Sequence, residues 1–110
     1  MNKVLFIPEI RKYFDDLVPF LYEMGYFSYL DSSKKYVKGL VDDIMANLPI
    51  KLHKPAPPHF DKYGKGMKYA AFRKNRHTTW YAFFKTYQQN DEVFYLVRYI
   101  SNNHVIAQYL

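Results

Sequence analysis

The chain has 110 residues, a net charge of +6 and no cysteine. Hydrophobic residues make up 49% of the chain, and aromatic residues make up 20% of it. A chain of this length forms one domain with an apolar core of its own, so it needs no disulfide or structural metal. It lacks both a run of about 18 apolar residues and a signal-peptide pattern, which predicts no membrane span and a cytoplasmic protein.

The positive charge is concentrated in the second part of the chain. Residues 1–48 contain six Lys or Arg and seven Asp or Glu, which gives −1. Residues 49–110 contain ten and three, which gives +7. This asymmetry predicts an anionic partner for the C-terminal part, either nucleic acid or an acidic protein. The alternative is that the lysines only keep a β-rich surface soluble.

The N-terminal part predicts two helices. Residues 3–7 form a short apolar run, which is either an edge strand or the lead-in to a helix with Pro8 in its first turn. Apolar residues then recur every three or four positions, as in an amphipathic helix. We expect Pro19 to kink this helix and Gly25 to end it.

A second helix follows the aromatic connector at residues 26–30. Residues 31–33 offer three possible N-caps, and apolar residues at helical spacing continue to Leu48, before Pro49. The two helices are expected to pack as an antiparallel hairpin. Two pairs of adjacent aspartates lie on their polar faces, where neighbouring side chains diverge, so we interpret them as solvated rather than catalytic.

The middle of the chain shows no metal or phosphate motif. Residues 49–60 contain four prolines, which predict an extended connector without regular structure. None of the four histidines has the spacing of a zinc-binding helix, so we expect neither a metal nor another cofactor. Gly64-Lys65-Gly66 lacks the rest of a phosphate-binding loop and is interpreted as a turn.

Residues 67–109 contain three strand-like runs rich in β-branched and aromatic residues. The turns at residues 74–76 and 88–91 are short, so the strands are expected to form an antiparallel meander. The elements together predict an α+β fold, an N-terminal antiparallel helix hairpin packed on a three- to four-stranded antiparallel sheet. A single domain at 1–110 would comprise a mainly helical part (1–48), the Pro-rich connector (49–60), and the sheet and tail (61–110).

Alternation along the strands makes both faces of this sheet apolar. The two helices can cover only one face, so we expect the other to expose aromatic side chains flanked by Lys and Arg as an interaction surface. The alternative is that the C-terminal tail and the Pro-rich segment cover it. On the middle strand, strict alternation places Trp80, Ala82 and Phe84 on one face and Tyr81 and Phe83 on the other. On the last strand, it places Val93, Tyr95, Val97 and Tyr99 on one face and Phe94, Leu96, Arg98 and Ile100 on the other.

A helix hairpin, a meander and a short polar tail, in that order, resemble the RelE/ParE superfamily of toxins from bacterial toxin–antitoxin pairs. The resemblance depends on residues 67–73, on residues 79–84, and on the closing block from Tyr95 to His104. Within that block, Arg-Tyr-Ile-Ser-Asn-Asn-His resembles a subgroup of small plasmid-maintenance-type proteins.

This resemblance implies a toxin that is neutralised by a cognate antitoxin and that cleaves ribosome-bound mRNA without a metal. In the ParE branch, the toxin instead inhibits DNA gyrase. The family's catalytic positions fall near Lys68 and Arg73 on the first meander strand, at His104 after the last strand and at Tyr109 in the tail, with Arg98 as a further candidate. The Arg that the family usually has on the middle strand falls at about Thr79, which leaves room for a non-cleaving member.

RNA cleavage by 2′-hydroxyl attack needs a base, an acid and cations near the phosphate. His104 is the natural base or acid, since histidine titrates nearest neutral pH. Lys68, Arg73 and Arg98 would stabilise the negative charge, while Tyr99 or Tyr109 would stack a base or donate a proton. The residues expected to bind RNA are Lys65, Arg76, Tyr99 and Asn103.

The same side chains also have structural interpretations. Arg98 could form an ion pair with an N-terminal acid, and His104 could bond a loop carbonyl. Asn102 and Asn103 are residues typical of turns. A third functional class is a standalone nucleic-acid-binding module, whose affinity would fall steeply with salt because it depends on phosphate contacts.

Overall fold

The computed structural model, which describes residues 2–110, has a five-stranded sheet in the order β1-β5-β4-β3-β2, preceded in the chain mainly by two long helices. The α+β class and the order of helices before a meander are confirmed. In chain order the elements are β1 (Asn2–Phe6), α1 (Pro8–Glu23), α2 (Leu30–Asn47), β2 (Lys54–Pro55), β3 (Lys68–Asn75), β4 (Thr78–Gln89), β5 (Glu92–Asn102) and α3 (Asn103–Ile106). Short 3₁₀ turns lie at Leu48–Ile50, Pro58–Tyr63 and Ala107–Tyr109.

The number and direction of the strands differ from the prediction of three or four antiparallel strands. β1 pairs in parallel with β5, with Val4 opposite Tyr95, so the sheet is mixed. β2 adds a two-residue antiparallel strand beside β3, with Lys54 opposite Tyr69. The expectation of an irregular connector is therefore wrong at β2 and at the 3₁₀ turns. Pro55 is compatible with a strand here because an edge strand leaves one side without ladder bonds.

Helix α1 ends as the sequence predicts. Gly25 has φ +82°, a left-handed conformation that favours glycine. Its N–H donates to the Tyr22 carbonyl at 3.1 Å, and the Tyr26 N–H donates to the Leu21 carbonyl at 3.0 Å. These two bonds form a Schellman motif, which satisfies carbonyls that the helix itself leaves free.

Helix α2 begins earlier than the predicted caps at residues 31–33. Its N-cap is Tyr29, which makes no side-chain capping bond. Ser33 lies inside the helix, where it is fully buried, and its hydroxyl donates to the Val18 carbonyl of α1 at 2.6 Å. This serine therefore joins the two helices instead of starting one of them.

The sheet is covered on both faces. We call the face turned to α1 and α2 the inner face and the opposite one the outer face. The inner face carries the larger cluster, with Phe72, Trp80 and Phe84 packed against both helices. The outer face carries a second cluster formed by Phe60, Met67, Phe83 and Ile106. The expectation of an open outer face is wrong in its centre, because the Pro-rich segment and the C-terminal tail supply Phe60 and Ile106.

A β-bulge at Arg98 changes the alternation of β5. Phe83 pairs with Tyr99 and Phe84 pairs with Val97, so Arg98 is an extra residue on its strand. One extra residue exchanges the faces of all that follow. Tyr99 therefore joins the outer cluster and Ile100 the inner one, which is the reverse of the prediction from strict alternation.

Candidate functional site

The most site-like region of the molecule lies where the β3–β4 turn meets the junction of β5 and α3. β5 ends at Asn102, which pairs with Trp80, but β4 extends further. Asn103 takes over the pairing with its side chain: its Oδ1 accepts from the Thr79 N–H at 2.9 Å, and its Nδ2 donates to the His77 carbonyl at 3.0 Å. This amide therefore replaces a strand residue and fixes the turn against the end of β5.

Two further asparagines hold the backbone of this region. Asn102 Oδ1 accepts from the His104 N–H at 2.9 Å, which starts α3. Asn75 Oδ1 accepts from the N–H groups of His77 and Thr78 at 2.8 and 2.9 Å. The side-chain amides of the closing block thus have structural partners, in agreement with their interpretation as turn residues.

The region assembled by these bonds, which we call the hairpin corner, places two imidazoles on the surface. It consists of Arg73, Arg76, His77, Thr78, Asn103 and His104. The His104 Nε2 lies 3.2 Å from the Thr78 hydroxyl, so its partner is a side chain rather than a loop carbonyl. The Arg76 Nε donates to the His77 Nε2 at 3.2 Å.

Two guanidinium groups accompany the imidazoles. Arg73 lies on β3 directly opposite Thr79 on β4, and its Nε donates to the Asn75 carbonyl at 3.2 Å. Directly opposed residues have Cβ atoms about 5 Å apart on the same face of the sheet. Both Arg73 and Arg76 are exposed. The ion pairs found within residues 2–110 involve Lys3, Lys12 and Lys38, so neither guanidinium is neutralised by one of them.

The predicted basic residues Lys65 and Lys68 lie at the other end of β3. Together with Lys85 they border a cavity of about 300 Å³. Arg73 lies five positions after Lys68, which corresponds to roughly 17 Å along an extended strand. The structure therefore does not bring these lysines together with His104.

Arg98 also lies away from the corner. It is half-buried at the bulge, where its Nε donates to the Tyr63 carbonyl at 2.8 Å, and no ion pair with an N-terminal acid is found for it among residues 2–110. Asn102 is four residues further along β5, roughly 13 Å away. The expected pair of Arg98 and His104 is thus not formed.

The two tyrosines proposed as stacking or proton-donating groups stack on the protein itself. Tyr99 stacks on Tyr63 with ring centroids 3.9 Å apart, and Tyr109 stacks on His59 at 3.6 Å. Burial raises the pKa of Tyr99, although a hydrogen bond to Ser101 opposes the rise. Neither ring is part of the hairpin corner.

Sequence reasoning missed His77, which lies between the predicted turn at residues 74–76 and the next strand, and Thr78, which it treated only as the first residue of that strand. It also missed a cavity of about 680 Å³ between α1, the helix connector and the corner. We call this cavity the aromatic groove; its aromatic lining is Tyr13, Phe20, Tyr26, Phe27, Tyr36 and Trp80. His104 lines it as well, so the groove and the corner are continuous. The Trp80 Nε1 donates to the Tyr36 hydroxyl at 2.9 Å, which fixes the indole at the base of the groove.

The position of Tyr13 in this groove predicts a loss of stability at high pH. Burial, with a smaller contribution from Tyr99, raises the pKa of Tyr13 from 10 to about 12. The unfolded chain then ionises first, so the contribution of Tyr13 is complete below pH 10 and disappears as the pH rises towards 12. We expect Tyr13→Phe to flatten the decline of the unfolding free energy over this range, measured by urea denaturation. An unchanged slope in the variant would contradict the assignment.

Comparisons of the chain with models of protein families, with curated proteins and with solved structures find no match. In the part of the chain that the structure describes, no three His, Asp or Glu side chains gather as metal ligands. Within residues 2–110, no helix has the length and apolar character to cross a membrane. The geometry of the corner and the sequence pattern therefore carry the functional inference.

Proposed function

We propose that this chain is the toxin of a toxin–antitoxin pair of the RelE/ParE superfamily, and that it cuts ribosome-bound mRNA in the cytoplasm at the hairpin corner. The observation that carries the proposal is an exposed corner that holds His77, His104 and Arg76, with Arg73 beside it on the outer face of the sheet. The family assignment is supported by the layout, in which a helix hairpin precedes an antiparallel meander and a short polar tail. The charge of +7 in residues 49–110 suits both an RNA substrate and an acidic antitoxin.

The corner supplies each group that 2′-hydroxyl attack requires. His77 takes the proton of the 2′-hydroxyl on its Nε2 as the oxygen forms its bond to phosphorus, and the Arg76 Nε, which donates to that nitrogen at 3.2 Å, turns to the phosphate. His104, in its protonated form, gives a proton to the 5′ oxygen as the P–O5′ bond breaks. Arg73 and Arg76 stabilise the added negative charge, and one such donor contributes on the order of 3 kcal/mol to a transition state.

The threonine at position 79 is compatible with this chemistry. The family's usual Arg on the middle strand would stand there, and its absence favours a toxin that does not cleave. Arg73 is the direct cross-strand neighbour of Thr79, however, and lies on the same face. Because Arg73 already corresponds to a first-strand position of the family, it keeps a guanidinium beside Thr79 but does not replace the missing one.

Expression of the chain in bacteria without an antitoxin tests the proposal against its alternatives. We expect growth to stop and the transcripts to be cut. Growth arrest with intact transcripts and impaired DNA supercoiling would favour inhibition of gyrase instead. Continued growth, with tight and salt-sensitive binding of RNA by the purified protein, would favour a nucleic-acid-binding module.

A further inference from the structure

The aromatic groove exposes large apolar side chains next to the hairpin corner. Phe20 and Tyr26 are 52% and 69% exposed, although both are large aromatic residues. Both line the groove together with Trp80, which is only 2% exposed. Exposed aromatic side chains gathered around a cavity of this size mark a binding site.

The chemistry around the groove narrows the kind of ligand. Aromatic rings offer flat faces for stacking, and Asn75, Thr78 and His104 provide polar atoms. The acidic Asp16 also lines the groove, and its carboxylate is paired with Lys12 at 2.6 Å. Of the two guanidiniums, that of Arg76 lies in the adjoining corner, 3.2 Å from the His77 ring, whereas Arg73 alternates with the inner Phe72 and lies on the outer face. A ligand that combines a flat ring with a phosphate meets both surfaces at once. An unpaired nucleotide has this composition, because proteins that recognise single strands stack the bases on aromatic side chains.

We propose that the aromatic groove binds one unpaired nucleobase of the RNA and thereby selects the nucleotide presented to the hairpin corner. That the nucleic acid is RNA rests on the proposed function. It adds a specificity pocket on the helix side of the corner, separate from the outer face of the sheet.

Trp80 provides a direct probe, because it is the single tryptophan of the chain. The test titrates the protein with a short single-stranded oligonucleotide whose 2′-O-methyl groups prevent cleavage by 2′-hydroxyl attack. We expect the fluorescence of Trp80 to change on binding, and binding to weaken when one nucleotide is replaced by an abasic site. Equal affinity for the intact and every abasic oligonucleotide, or no fluorescence change, would overturn the proposal.

Two exposed tyrosines form a matched pair of variants. Tyr26 lines the groove, whereas Tyr29 does not, and they are 69% and 73% exposed. We expect Tyr26→Ala to weaken binding about tenfold, since a stacked base contributes roughly 5- to 150-fold in affinity. Tyr29→Ala should bind like the wild type, and thermal unfolding should show both variants folded. Equal effects of the two substitutions would contradict the proposal.

The outcomes also separate this inference from the proposed function. Base-dependent binding by a protein that leaves RNA uncut supports the groove and rejects the ribonuclease. If the protein cleaves RNA but its Tyr26→Ala variant keeps wild-type affinity and the same preference among nucleotides, the groove is not a base pocket.

Discussion

Replacing His104 by alanine is expected to lower the rate of RNA cleavage by about 100-fold or more, since general acid–base catalysis contributes about 10²–10⁴-fold. The imidazole is exposed and its only described side-chain partner within residues 2–110 is Thr78, so the substitution removes a proton donor without opening the core. The measurement is single-turnover cleavage of labelled mRNA on ribosomes. His77→Ala should have an effect of similar size, because each imidazole transfers one of the two protons.

His59→Ala is the matched control for both variants. His59 is also exposed, but it stacks on Tyr109 outside the corner. Its removal should leave the rate within a few-fold of the wild type. The double variant lacking His77 and His104 should be little slower than either single variant, because groups that act as a unit are not additive. Full activity of His104→Ala would remove this residue from the mechanism.

Phe83→Ala is expected to lower the free energy of unfolding by about 3–5 kcal/mol, the usual cost of truncating a buried Phe. Phe83 is 0% exposed on the outer face of the sheet. Its ring lies 4.4 Å from that of Phe60 and 5.2 Å from that of Tyr69, measured between centroids. The loss is a large part of the 5–15 kcal/mol by which most domains are stable. Chemical denaturation of the wild type and the variant gives the difference directly.

Tyr87→Ala is the matched control, because Tyr87 is an aromatic residue of the same strand that is 49% exposed. We expect this change to cost less than about 1 kcal/mol, as is usual for surface positions. A Phe83→Ala variant as stable as Tyr87→Ala would mean that the outer face is open, as alternation alone predicts. The cluster of Phe60, Met67, Phe83 and Ile106 would then contribute nothing to stability.

The helices and the main strands follow from local patterns. The three- and four-residue spacing of apolar side chains identifies α1 and α2, and Gly25 marks the end of α1. The bulge at Arg98 has no comparable local pattern, since an arginine inside a strand is equally compatible with regular pairing. The pairing of β2 depends on β3 meeting a proline segment from a different part of the chain, so tertiary contacts decide it.

The site was predictable only where sequence neighbours stay close in space. His104 and Asn103 were identified because they follow the end of a strand. Lys68 and Arg98 were grouped with them, yet residues on an extended strand separate by about 3.3 Å each. His77 comes to the corner through the amide of Asn103, a contact between residues 26 positions apart that no local spacing reveals.

The ends of the cut RNA test the central claim most directly. Attack by the 2′-hydroxyl leaves a 2′,3′-cyclic phosphate on one fragment and a 5′-hydroxyl on the other, and it needs no metal. We expect both kinds of end when the purified protein cuts ribosome-bound mRNA. The reaction contains a chelator that removes other divalent metals but leaves the Mg²⁺ that ribosomes require. Fragments with 3′-hydroxyl and 5′-phosphate ends, or mRNA that stays intact while growth stops, would contradict catalysis at this corner.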